Sequence, residues 1–202
     1  MAALRILEDA TEKAPSLEDR VFAGFAAFCT HTRSRCADAA RIGLEPYLDG
    51  SHIAAAARPD RWKTGRKQRR KGELIPVAGH AVGLSGESWA ERWLEARVEA
   101  GLDAGTDDCL MPAPLPGGGL SKARLPTSEA CVWLRELLVA GGIPAGEAMR
   151  YSSHSTKAAF LAWAAVFPLT HDERRVLGGH IAPGDRSVLT YSRGRWRARC
   201  SR

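Results

Sequence analysis

The chain has 202 residues, 45% apolar and 26% charged, a balance that can bury one sizeable core and excludes disorder throughout. Its longest apolar stretch, Ala158 to Leu169, is broken by Pro168 and falls far short of the ~20 residues that span a bilayer, so no membrane partner is expected. The formal net charge of +6 is unevenly spread. Arg58, Arg61, Lys63, Arg66, Lys67, Arg69, Arg70 and Lys71 are opposed only by Asp60, and six arginines from Arg186 to Arg202 have no acid among them. Together these stretches carry +13 and leave −7 for the rest of the chain, the charge separation expected of a protein that binds a phosphate backbone. A solvated loop and a basic tail would give the same composition. The opening Met-Ala-Ala-Leu-Arg shows no export signal, which points to an intracellular location, nuclear if the host is eukaryotic. Cys29, Cys36, Cys109, Cys131 and Cys200 are odd in number and contain no Cys-x-x-Cys; they read as buried or incidental thiols.

In chain order, residues 1–16 read as an extension ahead of a single domain over 17–202. Ser16 with Asp19 opens a run through Val21, Phe22, Phe25, Ala26 and Phe28 that predicts a capped helix ending near Thr30 to Ser34. A short helical segment follows from Ala37 to Ile42. Leu44–Leu48 and His52–Ala57 flank Asp49-Gly50, a hairpin signal, and Glu73–Val77 supplies a third strand, so the basic run falls at the sheet's tip or in its second turn. Trp89, Trp93, Leu94 and Val98 predict a core-facing helix ending at Gly101, and Thr127 to Ala140 predicts another, preceded by Pro126 and stopped by Gly141-Gly142. The stretch between them, Leu102 to Leu125, reads as a flexible loop; Gly117-Gly118-Gly119 lacks the Gly-Lys-Ser/Thr that would make it a phosphate loop. Ser155 to Phe167 predicts a buried helix, Thr170 to Glu173 opens a short one, and a last helical segment carries Tyr191. The class expected is mostly α with a small antiparallel sheet.

The last third carries chemistry: His154-Ser-Thr-Lys157, then Leu177-Gly-Gly-His180, then Thr190-Tyr191-Ser192-Arg193. His154 and Lys157 are three apart at a helix start, so both share one face beside the positive end of the helix dipole, where a phosphate is favoured. Each piece alone is also what a structural histidine or a core tyrosine would give.

In this order the pieces resemble the catalytic domain of the tyrosine recombinases, or phage integrase family, with a lean toward eukaryotic mobile-element members. That family carries an early Arg, a Lys on a hairpin, a His-x-x-Arg box, a Leu-Gly-His box and a nucleophilic Tyr. Arg35-Cys-Ala-Asp38 matches the first box, and Lys63 in Trp62-Lys63-Thr64-Gly65 precedes a Val-Pro-like strand, with Lys67 as the fallback. The match spans roughly residues 17 to 200. Two departures stand out: Lys157 occupies the second clamp position, where the family has Arg, and the Gly178-Gly179 doubling accompanies a long step from His180 to Tyr191. The family's N-terminal DNA-clamping domain has no counterpart before residue 17.

The resemblance implies DNA cleavage and rejoining through a 3′-phosphotyrosine ester on Tyr191, which keeps the phosphate bond energy. Arg35 and Lys157 would hold the transition-state charge, and His180 would hydrogen-bond the scissile phosphate. Lys63 would give the departing 5′-oxygen its proton, and His154 would act as acid/base or orient Tyr191. Arg58, Arg61, Arg66, Lys67, Arg69, Arg70, Lys71, Arg186 and Arg193 are the expected DNA-backbone contacts. Double-stranded DNA is the implied partner, with self-association on it, and no cofactor or metal is called for. Two rival readings are a decayed recombinase that only binds DNA and an unrelated basic helical RNA-binding or interaction protein.

Overall fold

A computed structural model describes residues 1–43, 45–58, 74–102 and 109–164 of the chain. Among them are seven helices and five strands, the strands forming two small antiparallel sheets: a mixed α plus β architecture. The helices are α1 (Ala2–Lys13), α2 (Leu17–His31), α3 (Cys36–Ala39), α4 (Trp89–Glu99), α5 (Thr127–Ala140), α6 (Ala145–Ala148) and α7 (Ser155–Ala164). The strands are β1 (Tyr47–Asp49), β2 (His52–Ala57), β3 (Ile75–His80), β4 (Pro112–Pro114) and β5 (Leu120–Arg124). Packing divides the chain into two units, Met1–Ala162 and Trp163–Arg202, and the elements below lie in the first apart from the last two residues of α7.

α2 forms the centre of the core. Ser16 Oγ accepts the Asp19 amide at 3.0 Å, the cap that their spacing predicts. Val21, Phe22, Phe25 and Phe28 are buried against α1, α4 and α5. Gly24 permits the crossing with α4: a Cβ there would overlap the Trp93 ring. That ring's Nε1 donates to the Val21 carbonyl at 2.9 Å, so this fully buried indole leaves no orphan donor. Trp133 of α5 stacks on Phe22 at 4.5 Å and donates to Asp19 Oδ1 at 2.6 Å.

β1, β2 and β3 pair antiparallel in that order, as the Asp49-Gly50 signal predicts, though the turn is displaced by one residue. Asp49 still pairs with His52, and the two loop residues are Gly50 and Ser51. Gly50 alone takes a positive φ, +61°, which is the glycine position of a II′ hairpin turn. β2 is the central strand, its Ile53, Ala54, Ala55 and Ala57 all buried. The basic run lies in chain order between β2 and β3.

The structure corrects four sequence expectations. Residues 2–13 form a helix, α1, whose inward positions Leu4, Leu7, Glu8 and Thr11 are half polar, so its stripe is masked in the sequence. The expected loop between α4 and α5 contains the hairpin β4–β5, whose short, half-exposed strands lack alternation and include Pro112 and Pro114. α4 turns Trp89, Ala90, Trp93, Ala96 and Arg97 inward, while Val98, expected in the core, is 58% exposed. The small helix α6 adds a turn between α5 and α7 that the sequence reading lacks.

Arg97 fills the inward place at the end of α4. Only 3% exposed, it donates from Nε and one terminal nitrogen to the two Glu45 oxygens at 2.7 Å each, and from the other to the Leu110 carbonyl at 2.7 Å. Its guanidinium lies 5.4 Å from the Trp93 ring centroid.

Candidate functional site

Arg35 is delivered by the way α2 ends. The Ser34 amide bonds the Cys29 carbonyl at 2.9 Å and the Arg33 amide bonds the Thr30 carbonyl at 3.1 Å, the paired bonds of a Schellman ending. Such an ending needs a left-handed residue, and Arg33 takes it at φ +57°, where α4 and α5 end on Gly101 and Gly142. Burial lowers the Arg33 guanidinium's pKa. After this reversal Arg35 is the N-cap of α3, its carbonyl accepting the Ala39 amide at 2.9 Å. Its side chain is 29% exposed and faces Asp38 Oδ2 at 3.6 Å, a loose pair from the same short helix.

α7 starts from a serine-rich turn. The Ser155 hydroxyl accepts the Ser152 amide at 2.9 Å, the Ser152 hydroxyl accepts the His154 amide at 3.3 Å, and Thr156 Oγ1 donates to the Ser153 carbonyl at 3.1 Å. The His154 carbonyl takes the Ala158 amide at 3.0 Å, which puts His154 at the head of α7 and Lys157 in its first turn. His154 is exposed and Lys157 half-buried.

The two segments meet. Cys36 Sγ, next to Arg35, lies 3.7 Å from Thr156 Oγ1, next to Lys157, although 120 residues separate them. Burial lowers the pKa of the Lys157 ammonium; the Arg35 charge lowers it further and Asp38 opposes the change. Arg35 and Lys157 are thus near enough to feel each other's charge, and Asp38 of α3, beside Arg35, offsets part of that repulsion. Cys29, whose pKa burial raises well above the ordinary thiol range, contacts Cys36 and backs this junction as a neutral group.

Of the residues singled out from sequence, the structure brings Arg35 and Lys157 together and places His154 three residues before Lys157 at the same helix start. Arg58 is exposed just after β2. Lys63, His180 and Tyr191 lie outside the described residues, as do Arg61, Arg66, Lys67, Arg69, Arg70, Lys71, Arg186 and Arg193, and the helices expected after Pro168. Tyr151, a second phenol three residues before His154, is half-buried, and its carbonyl accepts a hydrogen bond from Arg135 Nε at 2.9 Å. Sequence reasoning missed the Cys36–Thr156 junction and the left-handed Arg33, because neither a long-range thiol–hydroxyl contact nor an arginine at a glycine position has a local signature. Among the described residues no group of three or more His, Cys, Asp and Glu side chains is arranged to hold a metal ion. No protein-family model and no curated protein matches the chain.

Proposed function

We propose that the chain is a DNA-binding domain of the tyrosine recombinase kind, which cuts and rejoins DNA through a phosphotyrosine ester on Tyr191. The observation that carries the reading is the Cys36–Thr156 contact, which brings the segments holding Arg35 and Lys157, the first and second phosphate-clamp positions of the ordered set, to adjoining starts of α3 and α7. A scissile phosphate placed there would take charge from both cations and sit in the field of the α7 start. In this reading His154, at the head of α7, would act as acid/base at the same phosphate or orient the attacking phenol. His180 would bond a non-bridging oxygen, and Lys63 would protonate the leaving 5′-oxygen. The basic run and the arginines after Asp185 would grip the flanking backbone.

The test is trapping. Nicked duplexes that lose a short strand on cleavage hold the ester, so adduct accumulates as a band resistant to denaturant. A pool with randomised flanks supplies the unknown site. Adduct formation that disappears in Tyr191→Phe supports the reading; adduct that persists moves the nucleophile elsewhere, Tyr151 first.

Lys157 favours a second reading, a recombinase descendant that binds DNA without cutting it. A lysine gives a point charge where an arginine would give two parallel hydrogen bonds, and burial and the Arg35 charge lower the pKa of this one. Salt-dependent DNA binding with no adduct from any nicked substrate is the result that selects it.

A further inference from the structure

At the end of the first sheet nearest the Gly50 turn, His52 of β2 stands directly opposite His80 of β3. The adjoining bond from the Ala81 amide to the Ser51 carbonyl, 2.9 Å, makes this the pair type in which antiparallel side chains approach most closely. Both side chains are exposed, their ring centroids are 5.0 Å apart, and the planes are inclined by 30°.

Two imidazoles that each give one nitrogen to a shared ion at about 2.0–2.1 Å, in tetrahedral or square geometry, have ring centroids roughly 4.5–5.2 Å apart. The observed separation already lies in that interval. Rotation about χ2, a broad torsion for histidine, turns the ring nitrogens while leaving the centroids nearly in place. Ser51 Oγ lies 3.2 Å from His52 Nδ1, so it can accept a hydrogen bond from Nδ1–H and leave Nε2 to the ion, the part that outer partners play for ligating histidines. The backbone behind the pair is fixed: Trp89 Nε1 donates to the His80 carbonyl at 3.1 Å, and the Trp89 ring stacks on His31 at 5.0 Å.

We infer that His52 and His80 form a two-imidazole site for a late first-row divalent ion such as Zn²⁺, Ni²⁺ or Cu²⁺, with water completing the coordination. Imidazole is the ligand these ions prefer, and two rings held on adjacent strands bind as a chelate without ordering cost to the backbone. A bound ion ties β2 to β3 at the end remote from their connection through the basic run. The site rests on the sheet alone and is independent of the recombinase reading.

The experiment uses the full chain without an affinity tag, titrated with Ni²⁺ by calorimetry in a non-chelating buffer. One equivalent should bind, and affinity should fall tenfold or more in His52→Gln and in His80→Gln, both at exposed positions where substitution leaves the core intact. In the unaltered protein, trace Cu²⁺ should broaden the NMR signals of the His52 and His80 rings before those of other histidines. No saturable binding by the unaltered chain, undiminished binding in either variant, or first broadening at another histidine overturns the site.

Discussion

Arg97 and Arg35 show two uses of one side chain. Arg97 is closed: both Glu45 oxygens, the Leu110 carbonyl and the Trp93 face take up its donors, and solvent reaches 3% of it. Arg35 is open: at 29% exposure it has Asp38 at 3.6 Å and a second cation, Lys157, nearby. An arginine that only stabilised the fold would be expected to resemble the first, because a planar guanidinium gains most when every donor is matched. Placing a second cation beside Arg35 costs stability that Asp38 offsets only in part, and a bound anion would offset more of it.

The comparison sharpens first through stability. Arg97→Ala leaves Glu45 without its bidentate partner and the Leu110 carbonyl without a donor. The expected loss is about 3 kcal/mol, the low end for a broken buried pair because the Glu45 side chain keeps 30% exposure. Denaturant unfolding measures it. Gly24→Ala drives a methyl into Trp93 and should cost about 1–3 kcal/mol by the same assay. Arg35→Ala should change stability by less than about 1 kcal/mol, since a loose, partly exposed pair contributes little. On the proposed function its effect would fall instead on DNA, where loss of a charged hydrogen bond worth about 1.5–3 kcal/mol weakens binding or adduct formation by about tenfold or more. An Arg35→Ala variant that unfolds as readily as Arg97→Ala, with DNA binding unchanged, would erase the distinction.

The smallest effect is a titration. Because the folded state lowers the Lys157 pKa, that ammonium costs stability at pH below its lowered value, and the cost is relieved as pH rises toward the ordinary lysine value of 10.5. Binding of an anion through the same charge weakens over that same window. Removing Arg35 takes away one of the two causes, so Arg35→Ala should raise the Lys157 pKa, read from its side-chain nitrogen by NMR. An unmoved Lys157 would mean that the two cations do not share a site.

How far the sequence foretold these elements depends on where the information lies. α2 and the hairpin were legible because a cap, an apolar period and an Asp-Gly pair are local signals, and α5 was framed by Pro126 and Gly141-Gly142. α1 was not, since Glu8 and Thr11 occupy half of its inward stripe. Glu8 is accommodated only by partners far along the chain, His31 Nε2 at 2.8 Å and the Leu84 amide at 2.7 Å. Val98 was misplaced because helical spacing alone does not say that Arg97 would take the inward position. For the site, order along the chain suggested that Arg35 and Lys157 belong together, but their meeting depends on Cys36 reaching Thr156, and no local pattern encodes that contact.

The central claim is that the Arg35–Lys157 junction clamps a phosphate attacked by Tyr191, and trapping with a strengthened clamp tests it most directly. Lys157→Arg supplies the second parallel hydrogen bond, worth about one to two powers of ten in rate. On nicked DNA it should raise covalent adduct above that of the unaltered chain, and Lys157→Arg with Tyr191→Phe should yield none. Adduct that stays undetectable in Lys157→Arg while DNA is demonstrably bound, or adduct that survives in the double variant, contradicts the claim.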